Sequence, residues 1–298
     1  MTHPRALLIS RIGPRSLHSR WLGELGLGVP DAPRGFDVLL SAYDPAVTAT
    51  EGEGIMFEVR PGSKVAGYGG LLREHRALLA RYDYVALFDD DLLIESTDLT
   101  RLFTIVREHK LKIAQPALTP ESYFTYAALL RHPGFVLRYM SYIEMMCPIF
   151  RADVLERLIP LFELGHESGI DIIWSNLVWE HPRDFAVIDA VPVVHTQRVG
   201  GRKADNGFVG GRRYEDDIAA ILARFGAQWL PCLPYGAIRA DGQSVEGRGA
   251  MVRAALELAR AVPLQRPMKM RARNLAVYWK HMLTARAHNS VLDWPATS

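Results

Sequence analysis

Residues 84–94 read YVALFDDDLLI, an apolar run that leads into three consecutive aspartates and returns at once to apolar residues. An apolar run of this length predicts a buried strand. Three like charges at the end of a buried strand repel one another, and burial raises their pKa values. A divalent cation would remove that cost. Side chains i and i+2 share one face of a strand, so we expect Asp89 and Asp91 to converge while Asp90 faces away.

Two carboxylates on one face suit Mg²⁺ or Mn²⁺, which bind oxygen ligands and keep positions open for phosphate. The alternative is a solvated loop in which one aspartate caps the next helix. The flanking apolar residues favour the metal site, because charges embedded in this way are normally paired or metal-bound. His195 ends another apolar run and is a further candidate ligand. Its alternative is a structural histidine that is hydrogen-bonded.

The composition is that of a globular protein. The chain has 298 residues, 49% hydrophobic and 23% charged, with a net charge of +2, so no overall attraction to nucleic acid or membrane is implied. Two cysteines without a CxxC pattern favour a reducing compartment. The N-terminus lacks the apolar run of a signal peptide, and no stretch approaches the roughly 20 apolar residues of a membrane span. We therefore expect a cytoplasmic protein that does not bind nucleic acid.

Strand-like and helix-like segments alternate along the chain, which is typical of an α/β sheet covered by helices. Short apolar runs predict strands at 6–10, 36–41, 84–88, 111–114, 185–188 and 191–194. Apolar residues at helical spacing predict helices over 64–81, from 97 or 98, over 152–162, from about 169, and from about 267 to 287. The stretch 231–249 is rich in turn residues. Five glycines and five basic residues in 198–213 predict a mobile basic loop.

Five separated motifs, in this order, resemble the DUF707 group of glycosyltransferase-like proteins. They are Asp89 to Leu92 after Tyr82-Asp83-Tyr84, Gln115 to Leu118, Glu144 to Phe150, Gly169 to Trp174, and His195. The resemblance spans about residues 5 to 200, and its specificity comes from the order and spacing of the motifs, since each alone is weak.

This resemblance implies a GT-A-like, Rossmann-type α/β/α sandwich with a mostly parallel central sheet and a C-terminal helical extension. Residues 1–215 are expected to form the nucleotide-sugar-binding and catalytic domain, and residues 216–298 the extension that packs on it. The implied function is that of a metal-dependent glycosyltransferase, which moves a sugar from a nucleotide-sugar donor to an acceptor hydroxyl. A UDP-sugar is the default donor for this fold.

The resemblance also implies roles for the acidic residues. The triplet corresponds to the GT-A "DXD" element, so Asp89 and Asp91 are expected to bind Mn²⁺ or Mg²⁺, and His195 corresponds to a late metal ligand. Asp171 corresponds to a catalytic or acceptor-binding carboxylate and is our candidate general base. Its alternative is a helix N-terminal residue that the helix dipole favours.

Glu144 is the second candidate for the base. It lies among apolar residues, where an unpaired carboxylate is costly, so binding of a sugar hydroxyl or a buried salt bridge are its alternatives. Two positions depart from the DUF707 pattern: Asp90 replaces a glutamate and Ala114 replaces a serine. The sequence leaves open whether the anomeric configuration is inverted or retained.

Donor contacts are predicted at the ends of the first strands, on the first helix, in the triplet and in the basic loop. They are Ser10, Arg11, Gly13, Tyr43, Lys64, Asp89, Asp90, Arg202 and Lys203. The basic loop could close over the phosphates and exclude water. The alternatives are a disordered solvated loop and, for Arg11, a surface charge.

Two other function classes remain open from the sequence. One is a nucleotidyl- or phosphotransferase that uses the same acidic edge. The other is a non-catalytic carbohydrate- or nucleotide-binding module. For a glycosyltransferase, the acceptor could be a glycan, a lipid-linked glycan or a small molecule, in surface polysaccharide or natural-product synthesis.

The C-terminal segment from Met268 onward predicts a basic amphipathic helix. Its apolar face contains Ala272, Leu275, Ala276, Trp279, Met282 and Leu283, and its basic residues Lys269, Arg273, Lys280 and Arg286 lie mostly elsewhere. Such a helix either packs its apolar face onto the domain, which we favour, or makes a peripheral contact with an anionic membrane.

Overall fold

A computed structural model describes residues 6–22, 34–198, 213–261 and 268–295. The strands in these residues are β1 (Ala6–Ile12), β2 (Asp37–Ala42), β3 (Ile55–Val59), β4 (Tyr84–Asp89), β5 (Leu92–Leu93), β6 (Ile113–Leu118), β7 (Phe135–Met140), β8 (Ile149–Arg151), β9 (Phe185–His195), β10 (Pro234–Arg239) and β11 (Ser244–Glu246). The helices are α1 (His18–Leu22), α2 (Lys64–Glu74), α3 (Arg76–Leu79), α4 (Ser96–Glu108), α5 (Ala152–Phe162), α6 (Ile170–Val178), α7 (Tyr214–Phe225), α8 (Arg248–Ala261) and α9 (Met268–Thr284), with a 3-10 turn at Ala127–Leu129.

The strands form one large sheet in the order β11-β10-β7-β9-β6-β8-β4-β1-β2-β3, and β5 pairs with the end of β9. Strands β3, β2, β1 and β4 are parallel neighbours, and β6 and β9 form a second parallel pair. Strand β8 lies antiparallel between these two blocks. Of the strands in the main order, β8, β7 and β11 run against the direction of the others, so the sheet is mostly parallel.

Helices cover both faces of this sheet. Every residue of β1 and of β6 is buried, which requires cover on both sides because successive side chains point to opposite faces. Helices α2, α5, α6 and α7 contact one another in succession, while α1 contacts α4 and α8 contacts α9. The predicted α/β fold with a mostly parallel sheet is therefore confirmed.

Most predicted elements occur, and the differences have physical causes. Helix α5 occupies the predicted 152–162. The strand predicted at 111–114 is β6, which starts at Ile113 and continues through Pro116 to Leu118. The register with β9 shifts after Pro116, so the sheet accommodates a residue that has no N–H donor. The two strands predicted around Asp189 form the single strand β9, and the predicted helix 64–81 is interrupted at His75.

The residues after 215 continue the sheet. Strands β10 and β11 lie in the stretch 231–249 that is rich in turn residues, and β10 pairs with β11 and with β7. In α9, Leu275, Tyr278 and Met282 are buried against the domain, whereas Leu283 is exposed. The interpretation that this helix packs onto the domain is thus supported, and the domain boundary at 215 stays a prediction.

None of the helices in the described ranges is long and apolar enough to cross a membrane. Cys147 and Cys232 are both buried and both free.

Two adjacent glycines in α2 provide a test of how closely this helix packs on α5. A Cβ at Gly69 would lie 2.8 Å from the backbone oxygen of Phe162, whereas a Cβ at Gly70 would meet only the end of the Arg60 side chain, at 3.0 Å. We expect Gly69→Ala to lower the free energy of unfolding by about 1–3 kcal/mol, because backbone must move. The matched variant Gly70→Ala is expected to be neutral or to stabilise by up to about 1 kcal/mol. Urea unfolding of both variants measures this difference, and equal effects would contradict the close packing.

Candidate active site

The candidate site lies along the edge of the sheet where parallel strands end. Strands β1, β2, β4 and β9 run in one direction, so their carboxyl ends share this edge. The residues that end or follow these strands are Gly13, Tyr43, Asp89 and His195. Ligands of open α/β sheets bind at such an edge.

The register of β5 places Asp91 beside His195. Strand β5 pairs antiparallel with the end of β9, with Leu92 opposite His195, so the residue before Leu92 lies next to the imidazole. The Asp91 Oδ2 is 3.3 Å from His195 Nε2. The backbone N–H and the hydroxyl of Thr196 both donate to the carbonyl oxygen of Asp91, at 3.1 and 2.8 Å, which fixes the turn.

The hydrogen bonds of His195 define which nitrogen faces Asp91. Its Nδ1 is 2.8 Å from the carbonyl oxygen of Tyr123, which can only accept, so Nδ1 carries a proton. In the neutral imidazole the lone pair of Nε2 then points towards Asp91. Burial lowers the pKa of His195, but its bond to Asp91 and the charge of that carboxylate raise it above its ordinary value overall. A proton or a cation between His195 Nε2 and Asp91 Oδ2 would bond to both atoms.

Lys64, the first residue of α2, neutralises the other end of the acidic turn. Its Nζ lies 2.5 Å from Asp89 Oδ1 and donates to the carbonyl oxygen of Met145 at 2.9 Å. Burial lowers the pKa of Lys64, but the charges of Asp89, Asp91 and Asp171 raise it above its ordinary value, so the ammonium stays charged. Burial and the charge of Asp91 raise the pKa of Asp89 despite the attraction of Lys64.

The middle aspartate points to the other side of the turn. Asp90 Oδ2 accepts bonds from the backbone N–H of Gly13, at 3.1 Å, and from the hydroxyl of Tyr43, at 3.2 Å. Tyr43 lies directly on Gly13, where a Cβ would be 2.0 Å from its hydroxyl oxygen. The carboxylate of Asp90 therefore links the ends of β1, β2 and β4.

Ser10 and Arg11, which were predicted to contact the donor, lie inside the protein. Arg11 is buried, and its guanidinium donates to the hydroxyl of Ser41 at 3.0 Å and to the carbonyl oxygen of Gly62 at 3.1 Å. Burial lowers the pKa of Arg11. Ser10 is also buried. Arg11 thus braces the loop that precedes α2 and Lys64, instead of being the surface charge that the sequence left open.

Asp171 lies in the first turn of α6. The helix begins after Gly169, which has a φ of +88° and would bring a Cβ within 3.1 Å of Ile218. Asp171 Oδ2 accepts from the hydroxyl of Tyr142 at 2.6 Å and from the backbone N–H of Met145 at 3.2 Å. Although these bonds lower the pKa of Asp171, burial has the larger effect and raises it.

Glu144 lies in the same segment, between β7 and β8. Its backbone N–H donates to Gln115 Oε1 at 2.8 Å, and the indole of Trp174 on α6 donates to the neighbouring carbonyl oxygen of Ile143 at 3.1 Å. The side chain is buried, and no described residue forms a hydrogen bond with its Oε2. Burial and the charge of Asp171 raise the pKa of Glu144 to about 7.

Together these residues form an acidic cluster at the sheet edge, called the cleft below, and this cluster has an excess of negative charge. Four carboxylates interact electrostatically with two basic groups: the acids are Asp89, Asp91, Glu144 and Asp171, and the bases are Lys64 and His195. A divalent cation would reduce this excess.

The donor atoms at one point of the cleft fit such a cation. Within the described part of the chain, no three His, Cys, Asp or Glu side chains are grouped closely enough to hold a metal ion. Asp89 is paired with Lys64, so Asp91 and His195 are the two protein ligands that would remain. One carboxylate and one imidazole suit Mn²⁺ or Mg²⁺ when phosphate and water complete the coordination.

The structure thus brings together most of the predicted site residues, while Arg202 and Lys203 lie outside the described residues. The sequence did not identify Tyr142, whose hydroxyl donates to Asp171, as a residue of the site. Tyr142 stands two residues before the motif that begins at Glu144, and this position was the available signal.

Comparisons with known proteins agree in part with the sequence resemblance. Residues 73–135 match the family described as "Protein of unknown function (DUF707)". The match includes the acidic triplet and ends before Glu144, Asp171 and His195, so the predicted resemblance is confirmed over this segment. No curated protein matches the chain.

Two solved structures are similar at low identity. One is the mannosyltransferase PcManGT from Pyrobaculum calidifontis, in complex with GDP-Man and Mn2+, with 14% identity, coverage of 94% of this chain and 86% of that chain, and a TM-score of 0.43. The other is S. aureus TarS 1-349 in complex with UDP-GlcNAc, with 11% identity, coverage of 94% and 73%, and a TM-score of 0.44.

The proton on Glu144 gives a pH-dependent stability that can be measured. The unfolded chain loses this proton near the ordinary pKa of 4.5, whereas the folded protein holds it up to about pH 7. Within this window the folded state binds more protons, so its stability falls as pH rises. Relative to Glu144→Gln, which does not titrate, the wild type should lose about 1.4 kcal/mol of unfolding free energy per pH unit.

Urea unfolding of both proteins across this window measures the difference. Glu108→Gln, the same change at an exposed position of α4, is the control. A pH dependence that is the same in wild type and Glu144→Gln would show that Glu144 is ionised in the folded protein.

Proposed function

We propose that this protein is a metal-dependent glycosyltransferase that uses a nucleotide-sugar donor. The observation that carries the proposal is the acidic cleft at the carboxyl edge of the sheet, in which Asp91 faces His195, Lys64 pairs with Asp89, and Asp171 lies beside them. The order of motifs that resembles DUF707 proteins supports sugar transfer among the chemistries that such a cleft could perform.

In this proposal Asp91 and His195 hold Mn²⁺ or Mg²⁺. When bound, the cation neutralises the charge that develops on the departing nucleoside diphosphate. Lys64 adds a second positive charge in the same place, and its contact with Met145 holds it at the cleft. The cluster of Gly13, Tyr43 and Asp90, which are hydrogen-bonded to one another through the Asp90 carboxylate, would contact the nucleoside part of the donor.

Asp171 is proposed as the general base. The acceptor oxygen forms a bond to C1 of the donor sugar and gives its proton to the Asp171 carboxylate. The bond between C1 and the diphosphate oxygen breaks, and its electron pair leaves with the nucleoside diphosphate. Burial raises the pKa of Asp171, which makes it a stronger base than an exposed aspartate. The hydroxyl of Tyr142 and the N–H of Met145 fix its orientation.

Several finer predictions belong to the same proposal. A UDP-sugar is the expected donor, residues 1–215 are the expected catalytic domain, and the expected location is the cytoplasm. Peripheral membrane contact through α9 also stays a prediction, and the exposed Leu283 and Val277 are the side chains that could make it. Arg202 and Lys203 are proposed to contact the diphosphate.

The metal ligands can be tested within the aspartate triplet itself. Asp91→Asn should abolish the increase in UDP affinity that Mn²⁺ produces, because an amide is a poor ligand for this cation. The control is Asp90→Asn, which keeps an oxygen acceptor for Gly13 and Tyr43 and should retain the Mn²⁺ effect. Calorimetry with and without Mn²⁺ measures both, with GDP, CDP and dTDP as further nucleotides. An equal loss of the Mn²⁺ effect in the two variants would refute the assignment of Asp91.

The role of Asp171 predicts a change in turnover and not in binding. Asp171→Asn keeps an oxygen acceptor for Tyr142 and Met145 but removes the base, so kcat should fall about a hundredfold or more while donor affinity changes little. Asp153→Asn, in the first turn of the neighbouring α5, is the control and should retain activity. If donor affinity collapses in Asp171→Asn, the residue binds the donor or supports the fold.

A further inference from the structure

Three aromatic side chains contact one another in series from the solvent to the Asp171 carboxylate, and the innermost, Tyr142, is buried. The Trp229 side chain is large and apolar, yet the residue is 48% exposed. Its ring centroid lies 6.5 Å from that of Tyr126, which in turn lies 5.0 Å from that of Tyr142 in an edge-to-face arrangement. The hydroxyl of Tyr142 donates to Asp171 at 2.6 Å. The exposed indole is therefore connected by direct ring contacts to the proposed base.

The segment that carries Trp229 is fixed on both sides of the indole. Helix α7 ends at Phe225 and is capped by Gly226, whose φ of +58° turns the chain out of the helix. After the indole, the hydroxyl of Ser141 donates to the carbonyl oxygen of Pro231 at 3.0 Å and accepts from the N–H of Leu233 at 3.1 Å. A ring that is already held in place loses little conformational entropy when a ligand binds.

The two tyrosines are neutral next to the acids. Burial is the main cause that raises the pKa of both Tyr126 and Tyr142, and the charges of Asp171 and Glu144 raise it further. Both hydroxyls therefore remain protonated; the Tyr142 hydroxyl donates its proton to Asp171 and can accept a further bond. The series of rings offers apolar faces at its outer end and carboxylates and phenol groups at its inner end.

We propose that Trp229, Tyr126 and Tyr142 form the acceptor site, and that they bind an uncharged pyranose. The sugar stacks its C–H face on the indole and directs a hydroxyl group to Asp171. This inference rests on the proposed function, since it defines the acceptor of the same transfer reaction.

The chemistry of these side chains selects this class of ligand. A pyranose has apolar C–H faces and a rim of hydroxyl groups, which match rigid aromatic rings and hydrogen-bonding groups, respectively. The carboxylate of Asp171 and the carboxyl group of Glu144 can accept bonds from hydroxyl groups. The charge of Asp171 repels a phosphate or a carboxylate, which disfavours an anionic acceptor group next to it.

Binding can be measured through tryptophan fluorescence of the full chain. The probes are the methyl glycosides of glucose, galactose, mannose and N-acetylglucosamine, with glucose 6-phosphate as the anionic comparison. At least one neutral glycoside should change the emission of the wild type in a saturable way, and the anionic sugar should bind more weakly. Trp229→Ala should abolish this change, whereas Trp294→Ala should retain it. Trp294 is the matched control because it is 40% exposed and contacts Phe225.

A stacking contact of this kind predicts that Trp229→Ala weakens glycoside binding about five- to tenfold and that Trp229→Phe restores most of it, measured by calorimetry because both variants lack the reporting indole. Circular dichroism and thermal unfolding show whether each variant folds. If no glycoside changes the wild-type emission, or if the change persists in a folded Trp229→Ala variant, the inference is wrong.

Kinetics separate a failure of this inference from a failure of the proposed function. Wild-type hydrolysis of UDP-glucose and GDP-mannose, with water as acceptor, tests the transferase chemistry without any acceptor sugar. With the glycoside that binds, Trp229→Ala should raise the KM for the acceptor about five- to tenfold with a smaller change in kcat. Absence of donor hydrolysis and of transfer would refute the proposed function. Donor hydrolysis with an unchanged acceptor KM in Trp229→Ala would refute the acceptor site alone.

Discussion

The repulsion between carboxylates at the end of β4 is the constraint on which the site depends. Each aspartate of the triplet is compensated by a different part of the chain. Asp89 pairs with Lys64 on α2, Asp90 accepts from groups that follow β1 and β2, and Asp91 faces His195 at the end of β9. Three like charges can share one turn because three separate elements meet it there.

This compensation requires α2 to lie close to the sheet edge, and several side chains hold it there. A Cβ at Gly67 would lie 2.4 Å from the guanidinium of Arg11, so the small residue allows the helix to approach β1. At the N-terminus of the same helix, the carboxylate of Glu167 accepts from the backbone N–H groups of Val65 and Ala66 at 3.2 and 3.3 Å, where the helix dipole favours a negative charge. Asp217 on α7 in turn accepts from the N–H of Glu167 at 2.8 Å. The position of Lys64 thus depends on contacts from β1 to α7.

The part of this arrangement that could be predicted from the sequence is the part that local patterns determine. The apolar run before Asp89 predicted a buried strand, as in the structure. Asp90 points away from Asp91 as expected, but both residues lie in the turn between β4 and β5 and not on a strand, so strand periodicity is not the cause. By contrast, the pairing of Leu92 with His195 and the contact of Lys64 with Asp89 join distant segments, and no local periodicity determines such a register. Trp229 is a lone aromatic residue in an irregular segment, so only its contact with Tyr126 distinguishes it from any exposed tryptophan.

The two ends of the cleft differ in chemistry, and the excess of carboxylates explains why. A diphosphate can approach them only where positive charge is available, which is beside Lys64 and at a cation held by Asp91 and His195. At Asp171 the carboxylate is hydrogen-bonded to a phenol hydroxyl and to a backbone N–H, and no cation is bonded to it among the described contacts, although the charge of Lys64 acts on it from nearby. Aromatic rings and protonated phenols recognise a neutral polyol without adding charge, and burial keeps the phenols of Tyr126 and Tyr142 in that form. The excess of carboxylates therefore favours a neutral sugar next to Asp171, where the acceptor hydroxyl loses its proton.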